Sequence, residues 1–318
     1  MTKVKSGATA VKSENSGFFH GWAADISRHK CIYLLALPVI VYYIMFQYVP
    51  MYGALIAFQD YVPAKGMLGS AWVGAKHFMD FFRDPYFLRL LKNTLAISIL
   101  SIVFGFPAPV IFALLLNEIR STRFKKVVQT TTYLPHFISV VVVCGMLVDF
   151  AAKDGLFNDI VAALGGERTS FFLDPKYFRR LYVGSGIWQS AGWGAIIYLA
   201  ALAGIDTQLY EAATLDGANR FQSLIHVTLP GIAQTIIVML ILNMGRLMSQ
   251  GAEKVILLYN EGTYETADII SSFVYRRGIV ESNYSYSAAV GLFNSVINLI
   301  LLTATNSLSK KISGDGLW

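Results

Sequence analysis

Charge is scarce in this 318-residue chain: Asp, Glu, Lys and Arg make up 14% of it, against 55% hydrophobic residues. Soluble domains carry roughly 25% charged residues, so an ordinary water-facing surface is excluded for most of the chain, and the mean hydropathy of +0.51 agrees. Cysteine is nearly absent. Cys31 and Cys144 lie in or against apolar stretches without metal-type spacing, which leaves buried, inert thiols as the expectation. No Gly-x4-Gly-Lys-Ser/Thr phosphate loop occurs, so the chain does not itself cradle ATP. No Ser/His/Asp arrangement, paired-carboxylate site or thiolate cluster can be assembled, so no catalytic residue and no metal ligand is assigned. His136 and His226 lack ligand companions and read as structural, and Asp149 reads as a solvated acid.

What the chain does have is long apolar runs. A bilayer core about 30 Å thick needs about 20 mostly apolar residues in a helix. Six stretches meet that test: Cys31–Tyr48, Thr94–Leu116, Val128–Phe150, Tyr182–Ala203, Pro230–Leu247 and Ser287–Thr305. Pro38, Gly105, Pro107, Pro109 and Pro135 fall inside them, which a packed bundle tolerates because neighbours re-satisfy the freed backbone groups. The expected fold is therefore all-α, a polytopic membrane protein with six transmembrane helices whose partner is the lipid bilayer.

The net charge of +6 invites a nucleic-acid reading. The basic residues, however, form short groups between apolar runs, such as Arg120, Arg123, Lys125 and Lys126, with no basic stripe interleaved with aromatics, so no nucleic-acid partner is expected. Positive charge beside membrane spans marks the cytoplasmic side. The Arg120–Lys126 loop, the basic N-terminal tail and Lys310-Lys311 share one side, which places both termini in the cytoplasm. The first thirty residues are too long and polar for a signal-peptide n-region, and no small-residue cleavage site follows, so the first run reads as a retained span. The opposing segments 59–90, 151–181 and 248–284 are too long for tight turns and are expected to form short helices at the membrane surface. Phe78, Phe81, Phe82, Tyr86 and Phe87 read as an interfacial aromatic belt or as part of a docking face.

The segment from Ile205 to Pro230 stands apart. Asp206 is suited to cap a first short helix, Gly217 to a sharp turn, and Asp216 or Asn219 to cap a second helix, with Pro230 at the entry to the next span. Ala212, Ala213 and Ala218 form a small-residue face beside the apolar Leu209, Leu215, Phe221 and Leu224, and Glu211, Asp216 and Arg220 offer charge. Such a hairpin fits a groove in a soluble protein; it also fits an ordinary surface connection whose alanines favour helix.

Glu211-Ala212-Ala213, Gly217 after three residues, then nine residues, Val227, one residue and Leu229-Pro230 resemble the signature loop of permease subunits in binding-protein-dependent ABC importers. Asp216-Gly217-Ala218 matches the fuller form, and Val227 stands where isoleucine is usual. The resemblance covers residues 90 to 305. It implies a type I, MetI-like permease core of five helices at 90–305 with a coupling loop at 206–230. It is preceded by a cytoplasmic tail (1–30) and a first span with its extracytoplasmic segment (31–89), and followed by a cytoplasmic tail (306–318). It implies that Glu211, Ala212, Ala213, Asp216, Gly217, Ala218, Arg220, Leu229 and Pro230 couple the chain to an ATPase.

The implied partners are a second homologous permease, two cytoplasmic ABC ATPases that bind ATP and magnesium, and an extracytoplasmic solute-binding protein, in a bacterial cell membrane. This chain itself would be a transport subunit with no cofactor and no enzymatic activity. The order Trp188, Gly192, Tyr198, Leu199-Ala200-Ala201-Leu202, Ile205 resembles the maltose-like carbohydrate branch. Tyr33-Leu34-Leu35-Ala36-Leu37-Pro38, Tyr52-Gly53 and Ala57-Phe58 resemble permeases for polysaccharides and complex oligosaccharides within it.

Sugars are held by aromatic faces and by hydrogen bonds from amides and charged groups, and polar residues within spans face the bundle interior or a watery cavity. Trp188, Gln189, Trp193, Tyr198, Asn243, Arg246, Asn294 and Asn298 are the candidates for an oligosaccharide pathway; helix-to-helix contact or interfacial anchoring is the competing role for each. A secondary transporter would show an intramembrane carboxylate or paired broken helices, and neither is clear. A membrane enzyme would need a cluster of polar groups at an interface. An ABC permease for another solute stays open.

Overall fold

The computed structural model describes residues 28–249, 251–314 and 316–317; nearly all of the expected tail at 1–30 lies outside them. The chain divides into two units, 1–54 and 55–318. In the first, α1 (Lys30–Tyr43) continues through a π-helical turn, Ile44–Tyr48. The second begins with a small antiparallel ladder, β1 (Gln59–Asp60) on β2 (Ala71–Trp72), and a short helix, α2 (Lys76–Arg83).

The apolar runs then appear as helices. The second run is α3 (Phe87–Leu100) and α4 (Pro107–Glu118), joined by a π turn at Ser101–Gly105. The third is a pair, α5 (Thr122–Tyr133) and α6 (Val140–Ala151), followed by α7 (Leu156–Ala163). The fourth is α8 (Pro175–Ala203), which starts seven residues before the apolar run because Asp174 caps it by accepting from the Lys176 amide. The hairpin contains α9 (Thr207–Leu215) and α10 (Arg220–Ser223), and the fifth span contains α11 (Leu229–Met244). After α12 (Ala252–Leu258) and α13 (Ile270–Tyr275), the chain ends in α14 (Tyr284–Ser313). Among the described residues, four helices are long and apolar enough to cross a membrane, or up to six where each bent pair counts as one span.

The third run is not one straight helix. Pro135 lies in a 3-10 turn at Leu134–Phe137, Ile138 is extended, and the helical segments on either side are bent by 97°. Proline cannot donate the helical bond, and Ser139 restarts the helix by accepting from the Val142 amide.

Three π turns share a cause. Ile44–Tyr48, Ser101–Gly105 and Leu224–Thr228 each end two residues before a proline: Pro50, Pro107 and Pro230. A proline ring clashes with the carbonyl four residues back, which is Phe46, Val103 or His226 here. Each lies in the widened turn that displaces it. The chain therefore passes through Pro230 without breaking, and residues 220–244 form one continuous helix rather than a span that begins at the proline.

The helix α8 is the hub of the second unit, packing on α4, α5, α11 and the π turn at 101–105. One apolar cluster joins Val110, Ala195, Tyr198 and Ile232; a second joins Ile97, Phe178, Tyr182 and Val255. A third places Phe81 with Leu90, Phe273 and Tyr286. Phe81 is 1% exposed and contacts Phe87 and Phe293 edge-on, so it belongs to the core and not to an interfacial belt, with Phe87 partly buried against it, while Phe82 and Tyr86 stay half exposed. Cys144 is buried, whereas Cys31 is exposed; both are free thiols.

Candidate functional site

The hairpin is built by its capping residues. The Asp206 side chain accepts from the Gln208 amide and opens α9. At the other end Gly217 takes φ +79, the Ala218 amide bonds Ala213 O at 2.9 Å, and the Gly217 amide bonds Thr214 O at 3.1 Å. That is a Schellman closure, which a residue with a Cβ adopts only under strain. Asn219 and Gln222 then form a reciprocal capping box on α10. The result is a corner closed by its own backbone and capping bonds.

The hairpin's outer surface is apolar at defined points. Leu215 is 89% exposed and Phe221 68%, and Leu209 is more than half exposed. Glu211, Ala212, Asp216 and Arg220 are exposed around them, with Ala213 and Ala218 half-buried. Leu229 and Pro230 sit inside the continuous helix, immediately after the π turn. The hydroxyls of Tyr210 and Thr228 lie 3.0 Å apart and tie α9 to that turn. The hairpin thus presents an exposed apolar tip on a capped corner that runs directly into a span.

A cavity of about 540 Å³ opens between α8, α11, α12 and the π turn at 101–105. Gln189, Tyr198 and Asn243 line it, as do Ser101, Ser190 and His136. Gln189 spends its amide N–H on Ile138 O, the carbonyl freed at the Pro135 break, and Asn243 donates to Met239 O. Their side-chain oxygens are left to accept.

The other candidates lie elsewhere. Trp188 borders a separate, apolar cavity of about 420 Å³ with Met146, Phe150 and Arg180. Trp193 stacks face to face on His136, with ring centroids 4.7 Å apart. Arg246 is exposed beyond the end of α11. Asn294 donates to Met248 O and Ser249 Oγ, and Asn298 donates to Ser249 Oγ and accepts from the Met248 amide. Both asparagines hold the turn after the fifth span and do not line the cavity.

Sequence reasoning missed Lys254, which also lines the cavity. The Lys254 Nζ donates to Tyr182 O at 2.9 Å and lies 4.9 Å from the Tyr182 ring centroid. Gly251 makes this approach possible. It takes φ +75 at the start of α12, and a Cβ there would collide with the Tyr182 hydroxyl. Burial pushes the Lys254 ammonium down to about 8. No spacing pattern marks this lysine, because the groups against it, Tyr182 and Gly186 on α8 and Cys144 on α6, are 68 or more residues away.

The matching family model spans residues 105–314 and is described as a binding-protein-dependent transport system inner membrane component. Protein LplB of Bacillus subtilis is 47% identical over 93% of this chain and 94% of its own length. The polygalacturonan/rhamnogalacturonan transport system permease protein YteP of the same organism is 46% identical, over 92% of this chain and 91% of its own. A crystal structure of a bacterial alginate ABC transporter, in complex with an alginate pentasaccharide-bound periplasmic protein, contains a chain that superposes with TM-score 0.86 at 41% identity. The match covers 92% of this chain and 99% of that one. A hairpin before the penultimate span, a MetI-like helical bundle and these matches converge, and the chain belongs to the family of binding-protein-dependent transport system inner membrane components.

Proposed function

We propose that this chain is one of two permease subunits of an ATP-driven importer whose cargo is an oligosaccharide or polysaccharide fragment delivered by an extracytoplasmic binding protein. The capped hairpin with its exposed Leu215 and Phe221 carries the reading. It supplies the apolar and charged surface that a cytoplasmic ATPase needs to grip, with Glu211 as anchoring acid, Gly217 as turn and Arg220 as a charge partner. Both termini then face the cytoplasm. ATP and magnesium belong to the two ATPase subunits, and a second homologous permease completes the pathway.

The mechanism follows from rigidity. Closure of two ATPases around ATP pulls the hairpins as rigid bodies, and each pull passes through the Tyr210–Thr228 tie into the continuous helix at 220–244. A cavity that opens alternately to either side is a two-state element biased by nucleotide. The carbohydrate cargo draws support from the names of YteP and of the alginate transporter, and from the amide and hydroxyl groups of the cavity.

Co-purification of the chain with its partners, followed by ATP hydrolysis and uptake across an oligosaccharide panel, tests the proposal. Sugar-stimulated hydrolysis together with ATP-dependent uptake is expected. Uptake that survives loss of the ATPase and collapses with an ion gradient would overturn it in favour of a secondary transporter.

A further inference from the structure

Among the described residues, the cavity beside α8 is lined by one fixed cation and no carboxylate. Among its described lining residues none is Asp or Glu, and Lys254 has no ion-pair partner among the described residues. Its one protein acceptor is Tyr182 O. An ammonium has three donors, so two point to no protein acceptor. The bare Cα of Gly186 faces it, with the ammonium 3.5 Å from where a side chain would begin, so no group from α8 covers it there.

A buried charge without a counter-charge is costly, and a polar residue such as Gln would donate to Tyr182 O equally well. The arrangement lowers the energy of a state in which an anion enters the cavity. A neutral sugar needs only apolar contact and hydrogen bonds, and the cavity offers hydrogen bonds through Gln189 and Asn243. What the cation adds is attraction for negative charge, strengthened where the surroundings exclude water. Lysine rather than arginine presents a compact charge on a flexible stem. That suits a contact which must form and then release as cargo passes.

We infer that Lys254 is a recognition site for the carboxylate of an acidic sugar, so that the cargo is a uronate-containing oligosaccharide. This rests on the reading of the chain as a sugar permease. The Tyr182 ring below the ammonium and the αL conformation of Gly251 hold the lysine at the cavity wall, and Gln189 and Asn243 accept or donate to the sugar hydroxyls.

The test uses the whole transporter, with both permeases, the ATPases and the binding protein, in proteoliposomes. ATP-dependent uptake is measured for tetragalacturonate and for its fully methyl-esterified form, in wild type and in the Lys254→Gln and Lys254→Arg variants. Lys254→Gln is expected to raise KM for tetragalacturonate by about tenfold or more, the size of one hydrogen-bonded charge contact. The methyl ester should be little affected, and Lys254→Arg should retain the preference for the acid. Complex yield and basal ATP hydrolysis report on folding. Equal loss for both sugars, or no change for either, overturns the carboxylate site while leaving the importer reading intact. Wild-type uptake of the neutral ester alone does the same. Absence of any ATP-dependent sugar uptake removes the importer reading, and this inference with it.

Discussion

The hydroxyl groups of Tyr210 and Thr228, 18 residues apart in sequence, meet at 3.0 Å and join the first helix of the hairpin to the π turn of the fifth span. Force applied at the hairpin therefore has a second route into the membrane besides the covalent chain. Tyr210→Phe removes about 1 kcal/mol of tie. We expect sugar moved per ATP hydrolysed to fall by about fivefold, the ratio that this energy corresponds to, with ATPase binding unchanged. Uptake and hydrolysis measured on the same vesicles check it.

Gly217 adopts φ +79. Proline is locked near −65° and has no N–H, so Gly217→Pro loses both the left-handed turn and the amide bond to Thr214 O. Transport should be abolished while membrane insertion, which depends on the apolar runs, persists. Membrane fractionation and uptake together test this, and wild-type uptake would show that the hairpin is no lever.

Asp268 is fully buried and ties its own segment to α3 through Arg89. It pairs with Arg276 at 2.7 Å and Arg89 at 3.5 Å, and accepts from Ser272 Oγ at 2.8 Å. Breaking a buried pair from one side costs about 3–5 kcal/mol. Asp268→Asn should therefore lower the thermal unfolding midpoint in detergent sharply, and more than Lys76→Ala, whose pair with Asp60 is half exposed.

Asn298 accepts from the Met248 amide. Asn298→Leu leaves that buried N–H unpaired, at a cost of about 1–3 kcal/mol. Stability should fall while KM for cargo stays constant, a split that a pathway residue would not produce. Side-by-side melting curves and uptake kinetics separate the two.

Lys254 loses its charge as pH rises through about 8, because burial disfavours the ammonium. The groups facing it are Tyr182 on α8 and Cys144 on α6, with exposed Glu253 beside it on α12 and His136 sharing the cavity. Uptake of tetragalacturonate should decline across that pH while uptake of the methyl ester holds. Lys254→Arg should flatten the decline, since a guanidinium keeps its proton.

The hairpin was legible because caps are local. Asp206, Gly217 and Asn219 act within four residues of themselves, so their residue types announce their geometry. The cavity was legible only in part. Trp188 and Gln189 are adjacent on α8, about 100° apart around the helix axis, so one borders the cavity and the other an apolar pocket on a different face. Asn294 and Asn298 share a face, as four-residue spacing requires, but that face meets the turn at Met248 and Ser249.

By itself the sequence determined which segments are apolar enough to enter the membrane and how the hairpin turns, since each depends on transfer energy or on backbone bonding within a few residues. Tertiary structure alone decided which polar side chains share a cavity and that Lys254 stands at its wall with no acid among the described lining residues. Those facts depend on how α8, α11 and α12 rotate against one another, and that rotation is set by the summed packing of residues far apart in the chain.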